Sequence, residues 1–171
     1  MKRGIKYDFS LLALLLIPIG VSIGVVGYQM STILKLPIFV DQIGTMMVAM
    51  IAGPWVGMVT GLLSNVVNGM LNPVSFAFAI VSVLLGLVAG YLSRWRWFTN
   101  IFGIVFGCAI INVVTAVSSA VVSTFVFGGV TGAGTDIMTA ALLATGQALW
   151  TSVFSTNLVT GTINTIVNFV F

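Results

Sequence analysis

The stretch LLALLLIPIGVSIGVV, residues 11–26, decides the class of fold. No charged side chain interrupts it, and a helix that crosses a membrane needs roughly 20 mainly apolar residues. Its flanks extend it to a first span from about Ser10 to Gly27, followed by the polar stretch Tyr28 to Thr32. Lys2, Arg3 and Lys6 precede it in the manner of a secretory signal. The run is long, however, and no small-x-small cleavage site follows before more polar sequence, so it is expected to be retained as a helix. Pro18 predicts a kink or one lost backbone hydrogen bond, which membrane helices tolerate.

The rest of the 171 residues repeats this pattern. Hydrophobic residues make up 59% and charged residues 5%, whereas a soluble domain carries about a quarter charged residues. The expected fold is an all-α integral membrane protein: one domain, residues 1–171, with six transmembrane helices. The second span runs from about Val40 to Ala52 and stops at Gly53-Pro54, a turn signal. The third runs from about Trp55 to Met70, and the fourth from about Ser75 to Leu92, before Arg94-Trp95-Arg96-Trp97. Such a basic and aromatic cluster marks a membrane interface. The fifth covers about Asn100 to Phe127, and the glycine-rich Gly128 to Gly134 is a loop. The remainder divides into a short helix, about Asp136 to Leu149, and a sixth span from about Val153 to Phe171.

Cations report orientation here. The net charge is +3, but the Lys and Arg residues are scattered at helix ends and form no stripe of the kind that binds nucleic acid. A cytoplasmic N-terminus with six spans puts Lys2, Arg3, Lys6, Arg94 and Arg96 inside and only Lys35 outside, so both termini are expected in the cytoplasm. The Tyr28 to Val40 loop, the Leu71 to Val74 turn and the Gly128 to Asp136 loop then share the outer face.

Polar side chains within a membrane are costly unless paired or solvated, and a cluster of them at one depth marks a candidate binding site. Gln29, Asp41, Gln42, Asn65, Asn68 and Asn72 lean toward the outer side, and Gln147, Trp150 and Asn157 are placed to reach it from the last segment. Amides offer donors and acceptors, and an aromatic ring offers a stacking face, a combination suited to a neutral heterocycle. Asp41 has a second reading as a cap of the second helix, because the helix dipole favours an acid there. Asn112, Thr115 and Ser118 have a second reading as hydrogen-bonding residues between helices. Gly20-x-x-x-Gly24 and Gly57-x-x-x-Gly61 fit close helix packing, either inside the bundle or as a docking face for a partner membrane protein.

The sequence contains no His and no Glu, and one Cys, Cys108. That excludes a His-based triad, a His-containing zinc site, a Glu general base and a thiolate metal cage, so neither a catalytic nor a metal site is expected. Gly128 to Gly134 lacks the Lys-Ser/Thr ending of a P-loop, so any ATP must be hydrolysed by a partner. No cofactor is implied.

The phrases Leu36-Pro-Ile-Phe-Val-Asp-Gln-Ile-Gly-Thr45, Ala52-Gly-Pro-Trp-Val-Gly57 with Gly61 and Asn65 after it, Gly86-Leu-Val-Ala-Gly90 and Thr139-Ala-Ala-Leu-Leu-Ala-Thr-Gly-Gln147 resemble the S components of energy-coupling factor (ECF) vitamin transporters, in the riboflavin-transporter-like group. The resemblance covers about Pro18 to Asn157. It implies a six-helix protein that captures a vitamin near the outer face under its first outer loop. It also implies a transmembrane coupling subunit (T component) and two cytoplasmic ATPases as partners, a prokaryotic plasma-membrane location, and reorientation of the S component within the lipid. Where that family has an Ala-x-x-x-Ala docking face on the first helix, this chain reads Gly20 to Gly24. Scarce outer cations argue against a dianionic ligand, which favours a small ring such as pyridoxine or hydroxymethylpyrimidine, with riboflavin next. The competing function is a self-sufficient secondary transporter or channel, which requires an ion-coupled site or a continuous polar path.

Overall fold

The computed structural model describes residues 8–34, 36 and 39–170, with side chains through residue 167. Lys2, Arg3, Lys6 and Lys35, whose placement carried the orientation argument, lie outside the described residues. Within them, helix is the only regular structure. α1 spans Leu11–Ile33 and starts at Ser10, whose hydroxyl accepts a 3.2 Å hydrogen bond from the Ala13 amide. This satisfies one of the amide donors that a helix start leaves free. Pro18 is carried inside the helix, and the Ser22 hydroxyl donates to its carbonyl at 2.8 Å. The helix continues well past Gly27, the expected end. Nothing in Tyr28 to Ile33 breaks it, and Gly27 proves to be a point of contact with the following segment.

α2 spans Gln42–Ala52 and α3 Pro54–Leu71. Between them Gly53 has φ 104°, and Pro54 takes the first position of α3, where its missing N–H costs nothing. The predicted fourth span is broken: α4 covers Val74–Ala77 and α5 Ala79–Arg94. The turn falls at Phe78, whose ring lies parallel to that of Phe127 with centroids 6.0 Å apart. A short 3-10 turn, Trp97–Thr99, leads to α6, Ile101–Phe127. The last segment divides earlier than expected, into α7, Thr135–Ala144, and α8, Leu149–Val170. Gly146, at φ 86°, supplies the left-handed residue that stops a helix.

α1 and α6 are long and apolar enough to cross a membrane. Both expose Leu, Ile, Val and Phe on the outside, with Leu11 and Phe102 about four-fifths exposed at 79% and 80%. Such a surface suits lipid and not water.

Two groups of helices meet along a seam. α1, α2 and α3 pack on one another with α5 against α2 and α3, α6 and α7 each pack on α8, and the groups join chiefly through α5 against α6, with a light contact of α2 on α8. One end of the bundle is closed by the ion pair of Arg94 with the buried Asp8, beside Gly53. The wall between α1, α2, α3 and α5 is built on glycines. Gly44 lies against the backbone of Gly20, Gly57 against Ala49, and Gly61 against the Ser82 backbone and Thr45. Gly20, Gly24, Gly57 and Gly61, expected as a possible docking face, are therefore all buried against the chain's own helices.

The segment before α2 explains why that helix is short. Beyond Leu34 the chain doubles back along α1: the Val40 carbonyl and the Asp41 amide lie over Gly27, and the Asp41 carbonyl lies over Gly24. Gly24 precedes the last residue of α1 by nine positions, about 14 Å at 1.5 Å per residue. Asp41 thus lies beside Gly24 and Gly27, short of the end of α1. α2 begins there and has only 11 residues, about 16 Å, left to run.

Candidate functional site

The seam between the two helix groups opens into a cavity. Its empty space totals about 970 Å³ including the mouth, and about 110 Å³ of it is open to the centre of a water molecule. One wall comes from α1 (Tyr28, Ser31, Thr32), the returning segment (Leu36, Phe39, Asp41), Gln42 of α2, α3 (Asn65, Asn72), α4 (Val74, Ser75), and Phe78, Val81 and Ser82 at α5. The facing wall comes from Ser119 and Ser123 of α6, the loop Thr131 to Gly134, Thr135 of α7 and Asn157 of α8. Irregular backbone at the depth of membrane helices is tolerated where it is buried in protein or lines a polar cavity. The segment through Asp41 meets that condition.

The asparagines divide by what their amides already do. Asn65 donates through Nδ2 to the Gly61 carbonyl at 3.1 Å and to the Ser82 hydroxyl at 2.6 Å. Asn157 donates through Nδ2 to the Val153 carbonyl at 2.8 Å. A carbonyl can only accept, so these bonds fix which end of each amide is nitrogen. Asn65 thus spends both its N–H donors and keeps its oxygen as an acceptor, whereas Asn157 keeps one N–H donor as well as its oxygen. Asn72 is occupied at both ends: Nδ2 donates to the Tyr28 hydroxyl at 2.9 Å, and Oδ1 accepts from the Val74 amide at 3.2 Å. It ties α1 to the α3–α4 turn at the rim. Asp41 makes no side-chain cap bond to α2, and its buried Oδ1 has no hydrogen-bond partner among the described residues. Asp41 does occupy the N-cap position of α2, where the helix dipole favours an acid, but it caps without a side-chain hydrogen bond.

Of the nine residues read from sequence, the fold gathers Asp41, Gln42, Asn65, Asn72 and Asn157 around this one cavity. Four lie outside its lining. Gln29 is on α1, beside Tyr28. Asn68 is buried in α3, 1% exposed, with neither end of its amide hydrogen-bonded among the described residues. Gln147 is exposed in the turn between α7 and α8. Trp150 is 40% exposed at the outside of α8, its ring 6.1 Å from that of Phe125. The final two were placed by a helix boundary that the structure moves.

Sequence reasoning missed the serines. Ser119 and Ser123 lie four apart on α6 and continue the polar line of Asn112 and Thr115, a spacing readable in advance. Asn112 itself joins helices, donating to the Leu158 carbonyl at 3.3 Å and the Thr162 hydroxyl at 2.7 Å. Ser118 bonds back to the Val114 carbonyl of its own helix at 2.6 Å. Also missed was the ordering of the cavity's rim. The Asp136 carboxylate accepts from the Thr131 amide at 2.9 Å, the Thr131 hydroxyl at 2.9 Å and the Gly132 amide at 2.6 Å. Three bonds to one carboxylate hold the loop over the opening.

The cavity has the make-up of a small-molecule site: an apolar body, a few amides and adaptable hydroxyls. It carries no group of His, Cys, Asp and Glu able to hold a metal among the described residues. No curated protein and no solved structure matches the chain. Residues 12–171, nearly the whole length, match the family described as the substrate-specific component of the ECF transporter, and the protein belongs to that family.

Proposed function

We propose that this chain captures a small heterocyclic vitamin, of the size of pyridoxine or hydroxymethylpyrimidine, in the seam cavity and delivers it inward as part of an ATP-driven importer. Membership of the family makes the chain a membrane-embedded, substrate-binding transport subunit, not a catalyst, in complexes that contain a T component and ATPases. The proposal adds the ligand, the site and the path: six spans in a prokaryotic plasma membrane, both termini cytoplasmic, and a cavity facing out at the bundle end opposite Asp8 and Arg94. The size of the cavity carries the choice of ligand. About 110 Å³ of it is open to the centre of a water molecule. That suits one substituted ring better than the fused rings of riboflavin.

Native mass spectrometry of the purified chain should show one small ring compound bound. Vesicles containing the chain should take that compound up only when the coupling subunit and ATPases are present. Uptake by the lone chain under an ion gradient, insensitive to ATP, would refute this reading and establish a secondary transporter.

A further inference from the structure

We infer that the cavity has a deeper subsite, a small chamber between α2, α6 and α8 that takes the oxygen of a hydroxymethyl arm on the ligand. The inference rests on the cavity being the vitamin site, and it adds which substituent that site selects. About 10 Å³ of the chamber is open to the centre of a water molecule, enough for one oxygen and too little for a ring. Phe39, Gln42, Ser119 and Asn157 line both spaces, so the two share a boundary. Thr115, Ala116 and Asn164 line the chamber and not the cavity. Thr115 precedes Ser119 by four residues on α6, about 6 Å, and Asn164 follows Asn157 by seven on α8, about 10 Å. The polar lining therefore continues down the seam, toward the end where α6 begins and α8 finishes.

The chamber offers both donors and acceptors. Oδ1 of Asn164 accepts from the Phe39 amide at 2.9 Å, and a backbone N–H can only donate, so the free end of Asn164 is Nδ2 with its two N–H groups. No other hydrogen bond among the described residues involves Asn164, which is 3% exposed. Thr115 is the complement. Its hydroxyl donates to the carbonyls of Ile111 at 2.9 Å and Asn112 at 3.1 Å, so the proton is spent and the oxygen can only accept. Asn157 keeps one N–H beside its oxygen, and the Ser119 hydroxyl serves either polarity. Neither the Asn164 nitrogen nor the Ser119 oxygen is among the atoms that packing seals off without a partner. A buried N–H left without an acceptor is costly. The oxygen that fits here accepts from Asn164 and donates to Thr115, Ser119 or Asn157, which a hydroxyl does and a methyl or a carbonyl does not. Water and a ligand hydroxyl share that chemistry. A hydroxymethyl arm on a ring held in the cavity takes the place of water and reproduces its bonds, the condition under which displacing an ordered water loses no affinity.

The test measures equilibrium binding to the purified full chain of hydroxymethylpyrimidine and its methyl counterpart, and of pyridoxine and the analogues with methyl in place of each hydroxymethyl group. In at least one set the hydroxymethyl compound should bind at least about tenfold tighter, as in other sites that hydrogen-bond a substrate hydroxyl. Ala116→Val puts two more methyl groups into the chamber. It should cut that preference to about twofold or less, by weakening the hydroxymethyl compound while leaving the methyl one within about twofold of its wild-type affinity. A smaller preference in every set, failure of both hydroxymethyl compounds to bind, or a preference that survives Ala116→Val would overturn the inference. The wild-type comparison stands even if that variant does not fold. Thr115→Val, which removes the acceptor at almost constant shape, should also weaken the hydroxymethyl compound by about threefold or more; equal loss of both compounds would count against the subsite. A crystal structure with the hydroxymethyl compound bound distinguishes the two sources of oxygen: its hydroxyl beside Asn164 supports the inference, and a water there overturns it. Ser123→Leu, which fills the cavity and not the chamber, tests the site assignment separately. If it abolishes binding of whatever molecule co-purifies while the hydroxymethyl preference is absent, the site is right and the subsite is wrong. If the co-purified molecule still binds, the site itself is misplaced.

Discussion

Gly27→Ala separates the packing role of the glycines from the placement of Asp41. The new Cβ would lie 2.8 Å from the Val40 carbonyl oxygen, 2.9 Å from its carbon and 3.2 Å from the Asp41 amide nitrogen. Ordinary contact begins at 3.4 Å, and all three atoms are backbone, so no side chain can rotate away. The returning segment must move off α1 by about 0.6 Å. Overpacking of this kind costs typically 1–3 kcal/mol. Against it, alanine within a helix is favoured over glycine by about 1 kcal/mol. The net loss of stability should therefore be small, about 0–2 kcal/mol. The displaced atoms, however, carry Asp41, which lines the cavity, and polar contacts weaken steeply when their geometry shifts by about half an ångström, so affinity should fall by about tenfold. Gly146→Ala is the control. That residue has φ 86° and nothing within 4 Å of the added carbon, so the substitution adds about 1–2 kcal/mol of backbone strain away from the cavity. It should lower the melting temperature as much as Gly27→Ala, or more, with affinity unchanged. Thermal unfolding and equilibrium binding of the co-purifying ligand, on detergent-purified protein, check both. Wild-type affinity in Gly27→Ala, or an equal loss of affinity in Gly146→Ala, would refute the argument.

Two further outcomes follow from the ends of the bundle. Asp136→Ala removes three hydrogen bonds from the loop over the opening and should speed ligand dissociation by about fivefold or more, since each bond to a charged group contributes about 1.5–3 kcal/mol when fully formed; stopped-flow release at an unchanged rate would show that the loop does not retain the ligand. Arg94→Gln leaves the buried Asp8 without its partner and should destabilise the chain by about 1–3 kcal/mol, less than for fully buried pairs because Arg94 is 18% exposed. Adding Asp8→Asn should recover part of that loss with ligand affinity unaffected, and strictly additive melting shifts would argue against a coupled pair.

The sequence makes the long apolar helices legible because periodicity and composition both mark them, and Gly53-Pro54 marks the α2–α3 turn without help from packing. It does not reveal the break at Phe78, because the stack on Phe127 that accompanies it joins residues 49 positions apart. Nor does it reveal that Gly27 and Gly44 are contact points. A glycine in a membrane helix reads equally as a stop, a lipid-facing gap or a packing site until its neighbour is known. The candidate site was half legible for the same reason. Asp41, Gln42, Asn65, Asn72 and Asn157 stand out as polar residues in apolar surroundings, and all line the cavity. How the amides of Asn65 and Asn157 are turned depends on the carbonyls they bond, and that direction is invisible in the sequence.

The short α2 and the polar cavity have one cause. A helix of 11 residues cannot cross a bilayer alone, and the missing length is taken up by the segment that descends beside Gly27 and Gly24. That segment gives up the internal hydrogen bonds of a helix, so it must find others: the Phe39 amide donates to Asn164 of α8 at 2.9 Å, across the seam. The same descent carries Asp41 past the end of α1 to a depth where a carboxylate is expensive. Glycines at positions 20, 24 and 27 let the backbone approach closely enough to be shielded. Asp41 and Gln42, at the foot of this descent, are among the residues that line the cavity. Larger residues on that face of α1 would lift the segment toward the helix end, lengthen the span available to α2 and remove the acceptor from the pocket together. The glycine face of α1 is thus a determinant of the candidate site, although none of its three residues lines the cavity.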